Sequence, residues 1–74
     1  MENKLQEIFA EALGVEQDIV NDNLKYNEIP EWDSVAHMGL VAEIEDGFEI
    51  MLDTDDIIEM SSFLKAKEII QRYL

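Results

Sequence analysis

Glu31-Trp32-Asp33-Ser34-Val35-Ala36-His37-Met38-Gly39-Leu40-Val41-Ala42-Glu43-Ile44-Glu45-Asp46-Gly47-Phe48 is the stretch on which the fold turns. Asp33 and Ser34 are residue types that cap helices, because their side-chain oxygens accept from backbone N–H groups that lack a partner in the first turn. Behind them Leu40, Val41, Ile44 and Phe48 recur at helical spacing and form a core-facing set. Val35 and Met38 fall outside that set, near the helix start, and are expected to be partly exposed. Gly39 is a costly residue inside a helix, by about 1 kcal/mol relative to alanine, which suggests the close approach of a neighbour or partner. Gly47 either ends the helix or sits in its last turn. A loop therefore becomes a helix at Asp33-Ser34, and a hydroxyl stands at the junction.

Working outward, Leu5, Ile8, Phe9, Ala12 and Leu13 share one face of an earlier helix over about residues 3–13, which Gly14 is suited to end. From Val15 to Asp33 the periodicity breaks, and Asn21-Asp22-Asn23, Asn27 and Pro30 are turn formers. Val15, Ile19, Val20, Leu24, Ile29 and Trp32 are spaced along this segment as apolar anchors. They predict a loop that wraps the core, with one short helical turn near Glu16 to Val20. On the other side, Thr54 reads as an N-cap with Asp55 and Asp56 in the first turn of a short third helix through Met60. Ser61 or Ser62 then caps a fourth helix whose buried face is Phe63, Ala66, Ile69, Ile70, Tyr73 and Leu74. Phe48 to Leu52 is the one strand-like run, and it is too short to find a partner. The expected fold is all-α: a small four-helix bundle with a long first loop and a short third helix, forming a single domain over residues 1–74.

The chain has 74 residues, no cysteine and one histidine. Disulfides and thiolate metal sites are therefore excluded, and one histidine does not build a zinc site. No apolar run approaches the roughly 20 residues that span a bilayer, and the start lacks a signal pattern, so a soluble, cytoplasmic, monomeric protein is the expectation. Eighteen acidic residues against five basic ones give a formal charge of −13. That balance disfavours nucleic acid and anionic membranes and favours partners with Lys and Arg patches.

Three chemistries compete for the helix start. Asp33, Ser34 and His37 contain the residue types of a catalytic triad, with Ser34 and His37 one turn apart. A hydrolase, however, would also need a nucleophile elbow and an oxyanion hole, and the chain has no Gly-x-Ser-x-Gly. The simpler reading of His37 is a partly exposed helix residue beside Ser34. Asp53, Asp55, Asp56 and Glu59 could attract calcium, but they lack the spacing and central glycine of a calcium loop. A passive acidic interaction module without a prosthetic group accounts for the charge and for exposed Val35 and Met38. It leaves the hydroxyl unexplained.

The run Glu31-Trp32-Asp33-Ser34-Val35-Ala36-His37-Met38 resembles the modification site of acyl carrier proteins, in which Asp-Ser-Leu opens the second helix. The similarity extends through Ile44-Glu45-Asp46-Gly47-Phe48, the short acidic helix and the final Ser-Phe helix. It implies that Ser34 receives 4'-phosphopantetheine from coenzyme A through a separate phosphopantetheinyl transferase. The arm's thiol would then hold an acyl or aminoacyl group as a thioester, making the chain a carrier and not an enzyme. The resemblance makes Asp33 a cap and motif residue. It further implies that Val35 and Met38 meet partner enzymes as apolar contacts, with Glu43, Glu45, Asp46, Asp55, Asp56 and Glu59 facing the basic rims of loading and acyl-transfer enzymes. Fatty-acid carriers usually have acidic residues where this chain has Ala36 and Gly39, and leucine in place of Val35. The Trp-Asp-Ser form with Ala-His-Met looks more like free-standing carriers of specialised pathways, such as those for modified sugars, surface polysaccharides or small natural products.

Overall fold

The computed structural model describes residues 1–74 and contains four α-helices without a strand. Helix α1 spans Glu2–Leu13, one residue earlier than predicted, with Glu2 in its first turn, where a carboxylate complements the helix dipole. Leu5, Phe9 and Leu13 are buried and Ile8 and Ala12 are half-buried, so the predicted face is the one that packs. Gly14 ends the helix at φ +69°, and its N–H bonds the Ala10 carbonyl. That left-handed backbone is open to glycine at no steric cost.

The long segment that follows forms one 3-10 turn at Gln17–Ile19, inside the predicted window. Gln6 on α1 fastens it, its Nε2 donating to the carbonyls of Gln17 at 3.0 Å and Val20 at 2.8 Å. Val20, Leu24 and Trp32 are buried anchors, and Val15 and Ile29 are half-buried. Ile19 is not an anchor: it is 42% exposed, because the turn directs the adjacent Val20 inward in its place. Two backbone bonds pin the segment to the entrance of the last helix, Tyr26 N–H to Ser61 O at 2.8 Å and Phe63 N–H to Leu24 O at 3.0 Å.

Helix α2 spans Ser34–Phe48 and buries Leu40, Val41 and Ile44, with Phe48 half-buried. Its two glycines have opposite surroundings. A Cβ on Gly39 would meet nothing within 4 Å, so of the two expected causes, a neighbour or a partner, no neighbour within the chain accounts for that residue. The close approach occurs at Gly47, in the last turn, where a Cβ would lie 2.7 Å from Cδ1 of Ile8 on α1. Gly39→Ala is therefore expected to stabilise the protein by about 0.5–1 kcal/mol through helix propensity and a less flexible unfolded chain. Gly47→Ala should gain less, since Ile8 has to move. Urea unfolding of both variants checks the difference.

Helix α3, Thr54–Glu59, has Asp53 and not Thr54 at its N-cap position, without a side-chain cap bond, and ends before Met60. The register is set from α4: the Asp53 N–H donates to Tyr73 Oη at 2.9 Å, and that hydroxyl donates to Asp56. Helix α4, Phe63–Tyr73, begins at Ser62, whose Oγ accepts from the Lys65 N–H at 3.0 Å. Phe63, Ala66, Ile69 and Ile70 are buried and Tyr73 is half-buried. Leu74 lies past the last turn and is 67% exposed, so it is not part of the buried face. No helix is long and apolar enough to cross a membrane.

The 15 buried residues form one cluster, all of them apolar. At its centre Phe9 meets Trp32 edge-on at 5.3 Å and Phe63 at 5.1 Å, geometries favoured by the ring quadrupoles. Lys67 closes one side. Its ammonium lies 2.6 Å from Asp22 and 3.4 Å from Glu2, and 5.1–5.3 Å contacts of Lys4 over Phe48 and Lys67 over Phe63 cover the aromatic edges.

The Lys67 ammonium is held above the ordinary lysine value, chiefly by its bond to Asp22 and further by Glu2, with burial acting the other way. The Tyr73 phenol is likewise raised, chiefly because it donates to the Asp56 carboxylate. Both groups hold their protons more tightly folded than unfolded. Their contribution is thus complete below the unfolded values of about 10 and is lost as pH rises through the folded ones. The thermal midpoint should accordingly hold up to about pH 10 and fall as the pH rises further. Tyr73→Phe should lower the neutral-pH midpoint and flatten part of that alkaline fall.

Candidate functional site

Asp33 is the N-cap of α2, in extended backbone, and its Oδ1 accepts from the Ala36 N–H at 2.8 Å. The cap bond is thereby made by the residue before Ser34. Ser34 is the first helical residue, exposed, and its hydroxyl takes no part in the cap. A helix N-terminus offers unpaired N–H groups and the positive end of the dipole, and the first turn of α2 contains no acidic residue.

His37, one turn on, has both ring nitrogens committed. Nδ1 lies 3.0 Å from Trp32 Nε1, and Nε2 lies 3.0 Å from the Ile57 carbonyl. An indole nitrogen only donates, so Nδ1 is the acceptor and Nε2 carries the proton that bonds Ile57. The imidazole is stacked on Trp32 at 6.0 Å and meets Tyr26 edge-on at 5.5 Å. It ties the long loop, α2 and α3 together. No nitrogen is left to take a proton from Ser34, which removes the base that a hydrolytic triad would need.

Between α2 and α3 runs an open groove of about 320 Å³, with Ser34 at its edge. Met38, Ile57, Ile58 and Met60 give it apolar walls, and Tyr26 and Ser61 bring hydroxyls. Val35, Met38 and Ile58 are 80%, 61% and 74% exposed, a larger apolar surface around Ser34 than the partial exposure expected of Val35 and Met38. Tyr26, Ile57, Ile58, Met60 and Ser61 are absent from the site expected from sequence. One signal pointed to them: adjacent isoleucines on a six-residue helix do not both face a core.

The acidic residues fall into two groups. Glu43, Asp46, Asp55 and Glu59 are exposed. Glu45 and Asp56 are half-buried and have partners within the chain: Glu45 accepts from the Leu52 N–H at 2.9 Å, and Asp56 from Tyr73, with Arg72 at 3.6 Å. The acids at 53, 55, 56 and 59 do not converge, since no three His, Cys, Asp or Glu side chains are placed to hold one metal ion.

The scaffold is small and helical, and it presents an unengaged hydroxyl at a helix start, beside an open apolar groove and without a base. It has the form of a carrier domain. Residues 3–66 match the family model described as the phosphopantetheine attachment site, and the chain belongs to that family. It is a carrier protein, not an enzyme, and its prosthetic group is covalently attached 4'-phosphopantetheine. Carrier proteins of this kind work with modifying transferases and acyl-handling enzymes. The residues present fit the group: an exposed hydroxyl where the dipole favours a phosphodiester, and a groove with both hydroxyl and apolar walls alongside it.

Proposed function

We propose that Ser34 is the attachment residue and that the protein carries an acyl or aminoacyl group as a thioester for presentation to partner enzymes. The observation that carries this reading is the division of labour at the start of α2: Asp33 makes the cap bond, and the Ser34 hydroxyl next to it is exposed and unengaged. In the modification Ser34 Oγ forms a new P–O bond to the pantetheine-side phosphorus of coenzyme A. The diphosphate P–O bond breaks, adenosine bisphosphate leaves, and the hydroxyl proton passes to the transferase or to solvent. The arm supplies a terminal thiol, a nucleophile absent from this cysteine-free chain.

Once modified, the first turn of α2 holds the phosphodiester with a dipole contribution of about 0.3–1 kcal/mol, which the neighbouring Asp33 charge reduces. Val35, Met38 and Ile58 form the apolar contact for partners, rimmed by Glu43, Asp46, Asp55 and Glu59. Glu45 and Asp56 belong to the same acidic surface but act there through their field, since their carboxylates already accept bonds within the chain. The partners implied are enzymes with basic patches around an apolar centre.

The test is direct. Incubation with coenzyme A, magnesium and a broad-specificity phosphopantetheinyl transferase should increase the intact mass by one arm. An unchanged mass with a transferase shown to be active on another carrier would exclude the reading.

A further inference from the structure

His37 is the only histidine in the chain. Its half-buried ring stands one turn after Ser34 on α2 and lines the same groove. Resting on Ser34 as the attachment residue, we propose that His37 is a positioning residue for the modification of Ser34, and that it holds the start of α2 in place only as the neutral imidazole.

The protonation pattern follows from its partners. Trp32 Nε1–H can only donate and points at Nδ1 from 3.0 Å, so Nδ1 keeps its lone pair, and Nε2 carries the one ring proton 3.0 Å from the Ile57 carbonyl. A second proton has only Nδ1 to go to. There it would point at the indole N–H, donor against donor, and the bond from Trp32 would be lost. The bond from Nε2 to α3 would survive, because that nitrogen donates in either state. Trp32 is fully buried, so its N–H would have no water to turn to and would become an unpaired buried donor.

No carboxylate is placed to compensate the added charge. From the long loop, Tyr26 meets the imidazole edge-on at 5.5 Å, and Glu31, beside Trp32, is exposed. At the start of α2, Asp33 directs Oδ1 to the Ala36 N–H. On α3, Asp56 faces Tyr73 and Arg72 of α4, and Asp55 and Glu59 are exposed. The chain's ion pairs all lie elsewhere and none includes His37.

The consequence for Ser34 passes through two residues of backbone. Trp32 is the last buried residue before α2. Its carbonyl accepts from the Asn27 N–H at 2.9 Å, and the Asp33 carbonyl accepts from the His37 N–H at 2.8 Å. The indole bond thereby fixes where the chain enters the helix, and with it the direction in which the Ser34 hydroxyl is presented. Phosphoryl transfer onto that oxygen is in line, and a displacement of about 1 Å is enough to slow such a step by about 100-fold. Phe9 and Tyr26 still meet the indole edge-on when the bond is lost, so protonation loosens the helix entrance without unfolding the bundle.

The first test uses the protein before modification, labelled with nitrogen-15. Trp32 is the only tryptophan, so one indole N–H resonance reports the bond, and the one histidine gives its own ring C–H signals. Between about pH 8 and about pH 5, where imidazole ordinarily changes charge, the indole resonance should move along the same curve as His37. Its protection from exchange, relative to free tryptophan at each pH, should drop by about tenfold or more. An indole resonance that stays fixed while His37 titrates, or a His37 that takes no proton in this range, would overturn the proposal.

The second measurement is modification itself. In His37→Gln the carboxamide offers an oxygen to the Trp32 N–H and an N–H to the Ile57 carbonyl, and it does not titrate. The ratio of kcat/KM for wild type to that for the variant cancels the transferase's own response to pH, and it should fall several-fold from about pH 8 to about pH 6. A ratio that stays level while the indole bond titrates would overturn the positioning role. Wild type that gains no arm at any pH would overturn the reading of Ser34 and the positioning role with it, while the indole titration, made on unmodified protein, still decides the His37 contact.

Discussion

Trp32→Ala is expected to cost about 3–5 kcal/mol and to leave most of the protein unfolded at room temperature. The side chain is fully buried, so the loss combines apolar transfer, the cavity left behind and two edge-on ring contacts, with Phe9 and Tyr26. It also strips the donor from His37 Nδ1, leaving a half-buried acceptor to find water or stay unpaired. A domain of this size has only about 3–5 kcal/mol of net stability in its core, so the two quantities are of the same order. Far-ultraviolet circular dichroism and urea titration would read the outcome directly. A variant with a urea midpoint within experimental error of wild type would contradict the central position given to the indole.

Ser34→Ala should have the opposite profile, a complete loss of modification with almost no change in stability. The hydroxyl makes no cap bond, is exposed, and occupies a position where alanine is a better helix former. Asp33→Ala separates the two functions from the other side. It deletes the carboxylate that accepts from Ala36 N–H and should cost about 0.5–2 kcal/mol of stability. The pair of variants, each assayed for unfolding and for mass gain with transferase, distinguishes a serine that supports the helix from one that is modified. If Ser34→Ala lost stability as Asp33→Ala is expected to, the division of labour at the helix start would be wrong.

The helices could be read in the sequence because their signals are local. Gly14 stops α1, Asp33 opens α2, Ser62 opens α4, and the apolar spacing of Leu40, Val41 and Ile44 or of Phe63, Ala66, Ile69 and Ile70 marks the inner faces. Misreadings arose where the deciding contact is distant. Gly39 and Gly47 carry the same propensity penalty, and only the seating of α1 on α2 reveals that Ile8 presses on the second and nothing on the first. Thr54 and Asp53 are both residue types suited to a cap, yet α3 starts at Thr54 with no side-chain cap bond, and the Asp53 backbone N–H is instead held by Tyr73, 20 residues away. Ile19 and Leu74 lie where regular periodicity ends, in a 3-10 turn and past a final turn, so apolar character alone misplaced them.

The site followed the same rule. Ser34, Asp33, Val35 and Met38 stand together on one helix start and were legible from spacing. The groove was not, because it exists only when α3 docks against α2, and His37 sets that docking through Trp32 and the Ile57 carbonyl. His37, read as a partly exposed helix residue beside Ser34, is the link between the loop, α2 and the groove wall.

The central claim concerns one oxygen atom, and the chain offers competitors for it. Ser61 is exposed and lines the same groove, and Ser62 caps α4. The decisive measurement is therefore the position of the arm, by fragmenting the tryptic peptide from Tyr26 to Lys65 of the modified wild-type protein, which contains all three serines. The added mass should reside on fragments that include Ser34 and be absent from those holding only Ser61 and Ser62. An arm found on Ser61 or Ser62 would contradict the assignment.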